Sequence, residues 1–359
     1  MAARSRPTLK PWLRTLWRDP ETLQIGVDPT VGVLVTGLNA VTATWLTGLN
    51  GSRSEAQVLA DAAAIGLDLG TAGRILSGLR RAGVLLPAAI GPGNLADCGP
   101  LLPELIDLTA GRRSAGPGGP ALADRSRRHV VIDGANRIGV PLGALLSASG
   151  IGRLSFVDNE TVRRCDVAVG GLRLEDEGEP RILAAQQAIR RSSTTAQAPE
   201  ALGRSASAHA DLIVLCRPWT AHDPLQTAEL PDRSAHLAVA VREGTVVIGP
   251  LVLPGRTSCL HCAELHRTDR DPRWPAIAAQ LVAGPNRAMH EPTSVLATLA
   301  AALAAGQVLE HLDGTRAPQV IEATLELCPP DWELHRRSWP PHADCGCRST
   351  AHDQARSAG

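Results

Sequence analysis

HVVIDGANRIGVPLGALLSASGIGRLSFVD, residues 129–158, decides the fold of this chain. Val130, Val131 and Ile132 form a short apolar run suited to a buried strand. Gly134 to Gly139 makes the turn, Val140 to Ser149 has the pattern of a helix ended by Gly150, and Leu154 to Val157 is a second strand closing on Asp158. Further on come a helix at Ile182–Arg191 and a strand at Leu212–Leu215, preceded by Asp211. His236–Val241 and Thr245–Ile248 then read as an antiparallel hairpin turned at Glu243-Gly244. This alternation predicts an α/β fold, a doubly wound and mostly parallel sheet.

A glycine turn between strand and helix lets backbone N–H groups approach a phosphate, and an acidic residue ending the next strand bonds a ribose hydroxyl. Gly134, Gly139 and Asp158 stand at those places. The middle glycine of the dinucleotide pattern is missing, and Asn136 and Arg137 occupy positions where side chains would crowd a pyrophosphate. Two readings stay open. Either the turn holds a nucleotide, or its glycines serve only the packing of strand against helix.

Cys259-Leu-His-Cys262 and Cys345-Gly-Cys347 are two thiol pairs at metal-ligand spacing. Thiolates two or three residues apart on a tight turn can face one ion, and two such pairs complete a tetrahedral zinc site. With sulfur at all four positions, the site is closed and structural, and it pins the C-terminal region to a distant loop. His261 and His342 flank the ligands and are assigned supporting or exposed roles. Cys98, Cys165, Cys216 and Cys328 have no adjacent base and read as ordinary buried thiols. The charged run His266–Trp274 reads as a salt-bridged loop or a partner surface.

On the other side, residues 1–87 read as a small α/β unit. Strands are expected at Leu23–Val27 and Val31–Val35, with a helix capped by Asn39 and another opened by the Ser54/Gln57 capping box. A third helix runs Leu69–Arg81 with Ile75, Leu76 and Leu79 on one face, and Val84–Leu86 closes the unit. Element order suggests a winged helix-turn-helix, with Trp12, Trp17 and Trp45 in its core. Residues 88–128 are dense in Gly and Pro and read as a linker, 129–348 as the main α/β domain, and 349–359 as a disordered tail.

Composition narrows the function. The 36 basic and 36 acidic residues cancel, so no global field favours nucleic acid or an anionic membrane. Lys10 is the one lysine, which removes phosphate-binding Lys from the main domain. No apolar leader core is present near the start, and the apolar stretch Val295–Val308, interrupted by Thr298 and Gln307, reads as a buried helix. A cytoplasmic, reducing location is expected, which keeps the thiols free for metal.

These segments together resemble the ThiF family, adenylyltransferases related to ubiquitin-activating enzymes. The resemblance is carried by Gly134 to Asp158 with Thr161-Val162, by Gly249-Pro-Leu through Cys262, and by the helix around Ala305–Glu310 joined to Cys345-Gly-Cys347. It implies an enzyme that binds Mg-ATP, adenylates the C-terminal carboxylate of a small protein and holds structural zinc on the four cysteines. Arg181 then takes the place of a phosphate-contacting lysine. The family's Asn-x-x-Arg-Gln segment is replaced by Asp166-Val-Ala-Val-Gly170, and its magnesium-binding aspartate by Cys216-Arg217-Pro218.

The phrase from Gly249-Pro-Leu through Cys259-Leu-His-Cys262 to Pro275 is most similar to bacterial ThiF-like proteins of peptide natural-product pathways. That resemblance implies a catalytically degenerate scaffold: an N-terminal domain binds the leader of a precursor peptide and presents it to a YcaO-type cyclodehydratase, and the protein is a homodimer. Arg74 and Arg80 would then meet acidic leader residues by the groove along the hairpin and third helix. The alternative is a divergent adenylyltransferase using Gly134, Gly139, Asp158 and Arg181 on a small carrier protein. A winged-helix DNA-binding regulator is a third reading, opposed by the small, unclustered positive excess of residues 1–87.

Overall fold

The computed structural model describes residues 6–28, 32–86, 99–109, 118–192, 209–217, 234–283, 291–314 and 316–348. Two compact units divide the chain, Met1–Ala123 and Asp124–Gly359. The expected tail at 349–359, and residues 88–98 and 110–117 of the expected linker, lie outside the described residues, as does Cys98.

In the first unit, β1 (Thr15–Asp19), β2 (Thr22–Ile25) and β3 (Val33–Val35) form an antiparallel sheet in that order. The sequence pattern finds β2 and β3 and misses β1, four of whose five residues are exposed, so no apolar alternation marks it. Three helices follow: α1 (Ala40–Thr47), α2 (Glu55–Ala64) and α3 (Leu69–Arg81). Each begins on a side chain that takes an otherwise orphaned N–H. Asn39 accepts from Thr42 at 2.8 Å, Ser54 and Gln57 form the expected capping box, and Asp68 accepts from Thr71 at 2.8 Å.

The unit's core gathers Leu23 and Ile25 of β2, Leu46 of α1, Val58 of α2, and Leu76 and Leu79 of α3. Val84–Leu86 is not a strand; it is reduced to a bridge between Leu9 and Leu85. Trp45 is half-buried with its indole N–H on the Val58 carbonyl at 2.9 Å, whereas Trp17 is exposed. Lys10 is buried and donates to the carbonyl of Thr109, at the end of α4 (Leu102–Thr109). Burial lowers its pKa. Helix α5 (Gly118–Arg125) leads into the second unit.

There, seven strands make one mixed sheet. They are β4 (His129–Asp133), β5 (Arg153–Val157), β6 (Leu212–Leu215), β7 (His236–Arg242), β8 (Thr245–Val252), β9 (Ala323–Cys328) and β10 (Glu333–Ser338). Their order is β10-β9-β8-β7-β6-β4-β5. The four strands β5, β4, β6 and β7 are parallel, as the sequence pattern anticipates; β8, β9 and β10 extend them antiparallel. Strand order reverses at the gap between β4 and β6, the kind of switch point where open α/β sheets place their ligands. Glu243 and Gly244, both at positive φ, turn the β7–β8 hairpin.

Helices α6 (Gly139–Ala148), α7 (Arg181–Ser192) and α10 (Ser294–Asp313) pack together over this sheet. Gly143 of α6 is required by close approach, because a Cβ there would press into Phe156, Ile189 and Ile132. Helix α10 is long and apolar enough to cross a membrane, but ten of its residues from Leu296 to Leu312 are buried in the core. Inside the same unit, Arg125 grips Asp313 with two bonds of 2.8 Å and donates to the Ser149 carbonyl.

Three histidines of this unit, His129, His236 and His311, have their pKa lowered by burial. Folded, they stay neutral where the unfolded chain protonates them, so the unfolded state binds more protons as pH falls. Their contribution is therefore present above the ordinary histidine pKa of 6.5 and lost below it. The urea midpoint should be lower near about pH 5.5 than near about pH 7.5. His236→Asn should narrow that gap; a gap unchanged by it would contradict the assignment.

Candidate functional site

The turn between β4 and α6 is built by two glycines that pack on their neighbours. Gly134 has φ +116°, and a Cβ there would strike the carbonyl oxygen of Cys216; a Cβ on Gly139 would strike the carbonyl oxygen of Gly134. Asn136 then fills the space above the helix N-terminus. Its carboxamide oxygen accepts from the N–H groups of Ile138 at 3.0 Å and Gly139 at 3.1 Å, and its nitrogen donates to the Cys216 carbonyl. Those two N–H groups are among the donors an anion would use at a helix N-terminus. Arg137 points elsewhere, to the Cys165 carbonyl at 2.7 Å and Ser294 Oγ at 2.8 Å. Removing the cap with Asn136→Ala should cost about 1 kcal/mol in urea unfolding. An unchanged midpoint would show that the carboxamide does not hold the helix.

Asp158 closes β5 beside this turn, and its carboxylate is engaged. One oxygen accepts from the Ala135 N–H at 2.8 Å and the other from the Glu160 N–H at 2.8 Å. Arg181, the first residue of α7, lies 3.8 Å from the first of these oxygens. The structure thus brings Gly134, Gly139, Asp158 and Arg181 together, but Arg181 is buried and committed to carboxylates. Its Nε and Nη2 fork onto Asp166 at 3.1 and 2.7 Å, and Nη1 reaches Glu160 at 2.9 Å. Asp166, fully buried, also accepts from the Arg163 N–H at 2.7 Å, and Arg163 pairs with Glu291 at 2.8 Å. Burial and the Asp166 charge raise the Glu291 pKa.

Sequence reasoning missed Glu160, Asp166, Arg163 and Glu291 as members of this cluster. Glu160 and Asp166 lie within eight residues of Asp158, so local acidity was a usable signal. Glu291 is distant in sequence and carries none. At the β4/β6 switch point, Arg217 pairs with Asp133 at 2.6 Å, placing a cation where the family resemblance expects a metal-binding carboxylate. Cys216 is fully buried, its thiol pushed up by burial, as expected; Cys165 and Cys328, by contrast, are exposed.

The four cysteines converge. Cys259 caps α8 (Leu260–Arg270), which carries Cys262, while Cys345 and Cys347 arrive from the segment after β10. Their Sγ atoms lie within 4.8 Å of one another, with separations of 3.8, 3.5 and 3.6 Å for 259–262, 259–345 and 262–347. Sulfurs on a tetrahedral zinc at about 2.3 Å would be about 3.8 Å apart. The donor set therefore fits zinc. Burial pushes the Cys259 thiol up to about 11 and raises that of Cys347. At Cys262 burial is outweighed by hydrogen bonds, first that from the His342 N–H, which lower its pKa; a cation is what would let Cys259 and Cys347 ionise beside it. His342 donates its backbone N–H toward Cys262 Sγ at 3.5 Å and its ring bonds Asp269 at 2.9 Å; neither ring nitrogen faces the cluster's centre as a fifth donor would. Of the charged run His266–Trp274, residues 266–270 belong to α8 and Trp274 opens the next helix, α9 (Trp274–Ala283), so residues 271–273 alone form a connection. Arg267 is largely covered and paired with Glu264 at 2.5 Å.

In the first unit, β3 borders the sheet, with β2 as its one partner among the described residues. Arg74 and Arg80 both lie on α3 but six residues apart, on different sides of it. Arg74 bonds Thr71 at 2.7 Å and Arg80 pairs with Glu55 at 3.0 Å, so the structure does not bring the two together. A cavity of about 470 Å3 opens between α1 and α2, lined by Val41, Trp45, Leu49, Val58 and Ile65, with Arg53 and Asp61 at its polar side.

Residues 115–348 match the model of the ThiF family. No curated protein matches the sequence. Among solved structures, the fold is similar to E. coli MccB with AMPCPP and MccA, at 15% identity and TM-score 0.67, over 95% of this chain and 99% of that one. It is similar to the microcin C7 biosynthetic enzyme MccB in complex with N-formylated MccA, at 13% identity and TM-score 0.70 over the same shares. PaaA matches at 14% identity and TM-score 0.68, over 93% of this chain and all of that one. At these identities the likeness shows the fold.

Proposed function

Since this chain belongs to the ThiF family, we propose that it is a catalytically degenerate member acting as a leader-peptide-binding scaffold. In this reading the N-terminal unit is a winged-helix domain that takes up the leader of a precursor peptide. The large unit, stapled by zinc and assembled as a homodimer, holds that precursor for a YcaO-type modifying enzyme in the cytoplasm.

One observation carries the degenerate reading. Arg181, the cation in the position of a phosphate ligand, is buried against Asp166, Glu160 and Asp158. A triphosphate placed there would meet carboxylates before it met a free guanidinium, and phosphoryl chemistry depends on the opposite field. Asn136 on the helix N-terminus and Arg217 on Asp133 point the same way. The peptide half is supported by the edge position of β3, which among the described residues has no second strand and could accept an added one, and by the solved complex of MccB with MccA.

The test is an anisotropy titration of a labelled leader peptide from the protein's own pathway, with a scrambled peptide as control. Saturable binding of the leader alone is expected. Equal binding of both peptides, or of neither, would reject the reading.

A second reading, a divergent adenylyltransferase acting on a small carrier protein, is favoured by the retained Gly134, Gly139 and Asp158 and by MccB having been solved with ATP. It requires Arg181 to leave its carboxylates when nucleotide arrives. ATP-dependent AMP transfer that disappears in Asp158→Ala is the result that would establish it.

A further inference from the structure

Beside the four thiols, a second set of metal-ligating side chains comes together. His266 and Asp269 stand three residues apart on α8, so both project from one side of that helix. His342 closes on them from the segment that goes on to carry Cys345 and Cys347, so the packing that gathers the thiols also sets its ring over α8. One donor atom from each of the three residues lies within 4.8 Å of the other two. Asp269 Oδ2 is 2.9 Å from His342 Nε2 and 4.0 Å from His266 Nδ1. Nitrogen and oxygen ligands at about 2.0–2.1 Å from a tetrahedral ion stand about 3.4 Å apart, a spacing that these two distances bracket.

The ring nitrogens on the far sides have partners of their own. A ligating histidine keeps its other N–H on an oxygen, which fixes the ring and its tautomer. His266 Nε2 lies 2.9 Å from the Pro340 carbonyl, which can only accept, so this nitrogen carries the proton. Nδ1 therefore turns a lone pair toward Asp269 Oδ2, and two acceptors face each other with no proton between them. A cation is what satisfies such a pair. The His266 ring is also held in place, its centroid 4.8 Å from that of His342 and 6.4 Å from that of the buried Trp339.

His342 needs one change. Its Nδ1 accepts the Asp344 N–H at 3.1 Å, so Nε2 carries the proton and gives it to Asp269. An ion at Nε2 sends that proton to Nδ1, where Asp344 Oδ2 stands 3.8 Å away to receive it, and the ring stays neutral. Two imidazoles and a carboxylate suit a divalent transition ion such as zinc. Asp269 is 62% exposed, so the fourth position of such an ion opens to water, unlike the closed all-sulfur site next to it.

We propose that His266 Nδ1, Asp269 and His342 Nε2 bind a second zinc ion in an open, three-ligand site beside the thiol cluster. The site depends on neither leader nor nucleotide. Three ligands at the surface hold an ion less tightly than four thiolates, so the purified chain keeps one zinc and takes up the other from solution. Calorimetric titration of the full chain with zinc chloride, its thiol cluster already loaded, should show one further ion bound. His266→Gln with Asp269→Asn should weaken this uptake by more than about 100-fold, with the tightly held zinc and circular dichroism unchanged. Asp344→Asn, which touches no ion, should weaken it by about tenfold through the His342 ring. His335→Asn, in the exposed group of Asp331, Glu333 and His335, should leave it as it is. Absence of saturable uptake would overturn the proposal. Uptake that persists without His266 and Asp269, or that vanishes in His335→Asn, would overturn it as well.

Discussion

Exchanging Cys262 for serine is expected to strip the chain of zinc and lower its melting temperature by more than about 10 °C. Cys262 is fully buried and its sulfur stands 3.8 Å from Cys259 and 3.6 Å from Cys347, so it belongs to the centre of the cluster and has no substitute nearby. A structural zinc is worth about 10–16 kcal/mol of apparent binding free energy in small zinc peptides, much of it appearing as folding free energy. In this chain a metal bound by the four thiols would join α8 to the segment 341–348 across more than eighty residues of sequence. Without it, three buried or half-buried thiols remain with nothing to ionise them. Metal analysis of the parent should find about one zinc per chain, and the serine variant close to none. Chelator-treated parent should melt like the variant. A parent purified without zinc but equally stable would show that the thiols are a reduced cluster and not a metal site.

The second large effect is expected from Arg181→Ala. A buried guanidinium facing Asp158, Glu160 and Asp166 neutralises two carboxylates that water hardly reaches, Asp158 and above all Asp166, while Glu160 is exposed. Removing one partner of such a cluster costs about 3–5 kcal/mol, because the remaining carboxylates are left uncompensated. Arg181→Lys should recover part of this and not all, since a single ammonium cannot reproduce the fork that spans both oxygens of Asp166. Urea unfolding measures both variants. The outcome also separates two roles for the residue. A phosphate ligand waiting for nucleotide would, on truncation, leave the empty protein as stable as before.

The parallel half of the sheet and its glycine turn were legible because short apolar strand runs, bounded by glycine, alternate with longer helical segments, although α6 itself is buried on nearly every side. Val130 to Ile132, Leu212 to Leu215 and the hairpin at Glu243-Gly244 lie where their residues said they would. What escaped was the structure whose signal is weak. Strand β10 is exposed along its whole length, so Glu333 to Ser338 shows no alternation of apolar and polar residues. Helix α8 hid behind its own charges. The thiol cluster was readable from spacing alone, since short-range ligand pairs survive any uncertainty about the fold between them. The guanidinium cluster was not. Arg181 could be placed beside Asp158 by resemblance, but its occupation by Asp166 and Glu160, and the approach of Glu291 through Arg163, are products of tertiary packing.

Whether the glycine turn and Arg181 still admit a nucleotide separates the scaffold from the adenylyltransferase. Calorimetric titration of the zinc-loaded full chain with Mg-ATP, at several temperatures, tests this most directly. No binding heat is predicted at any temperature, because Asn136 holds the N–H groups of Ile138 and Gly139 and Arg181 is shared among carboxylates. Micromolar binding that vanishes in Asp158→Ala would contradict the account and make this chain an ATP-using member of its family.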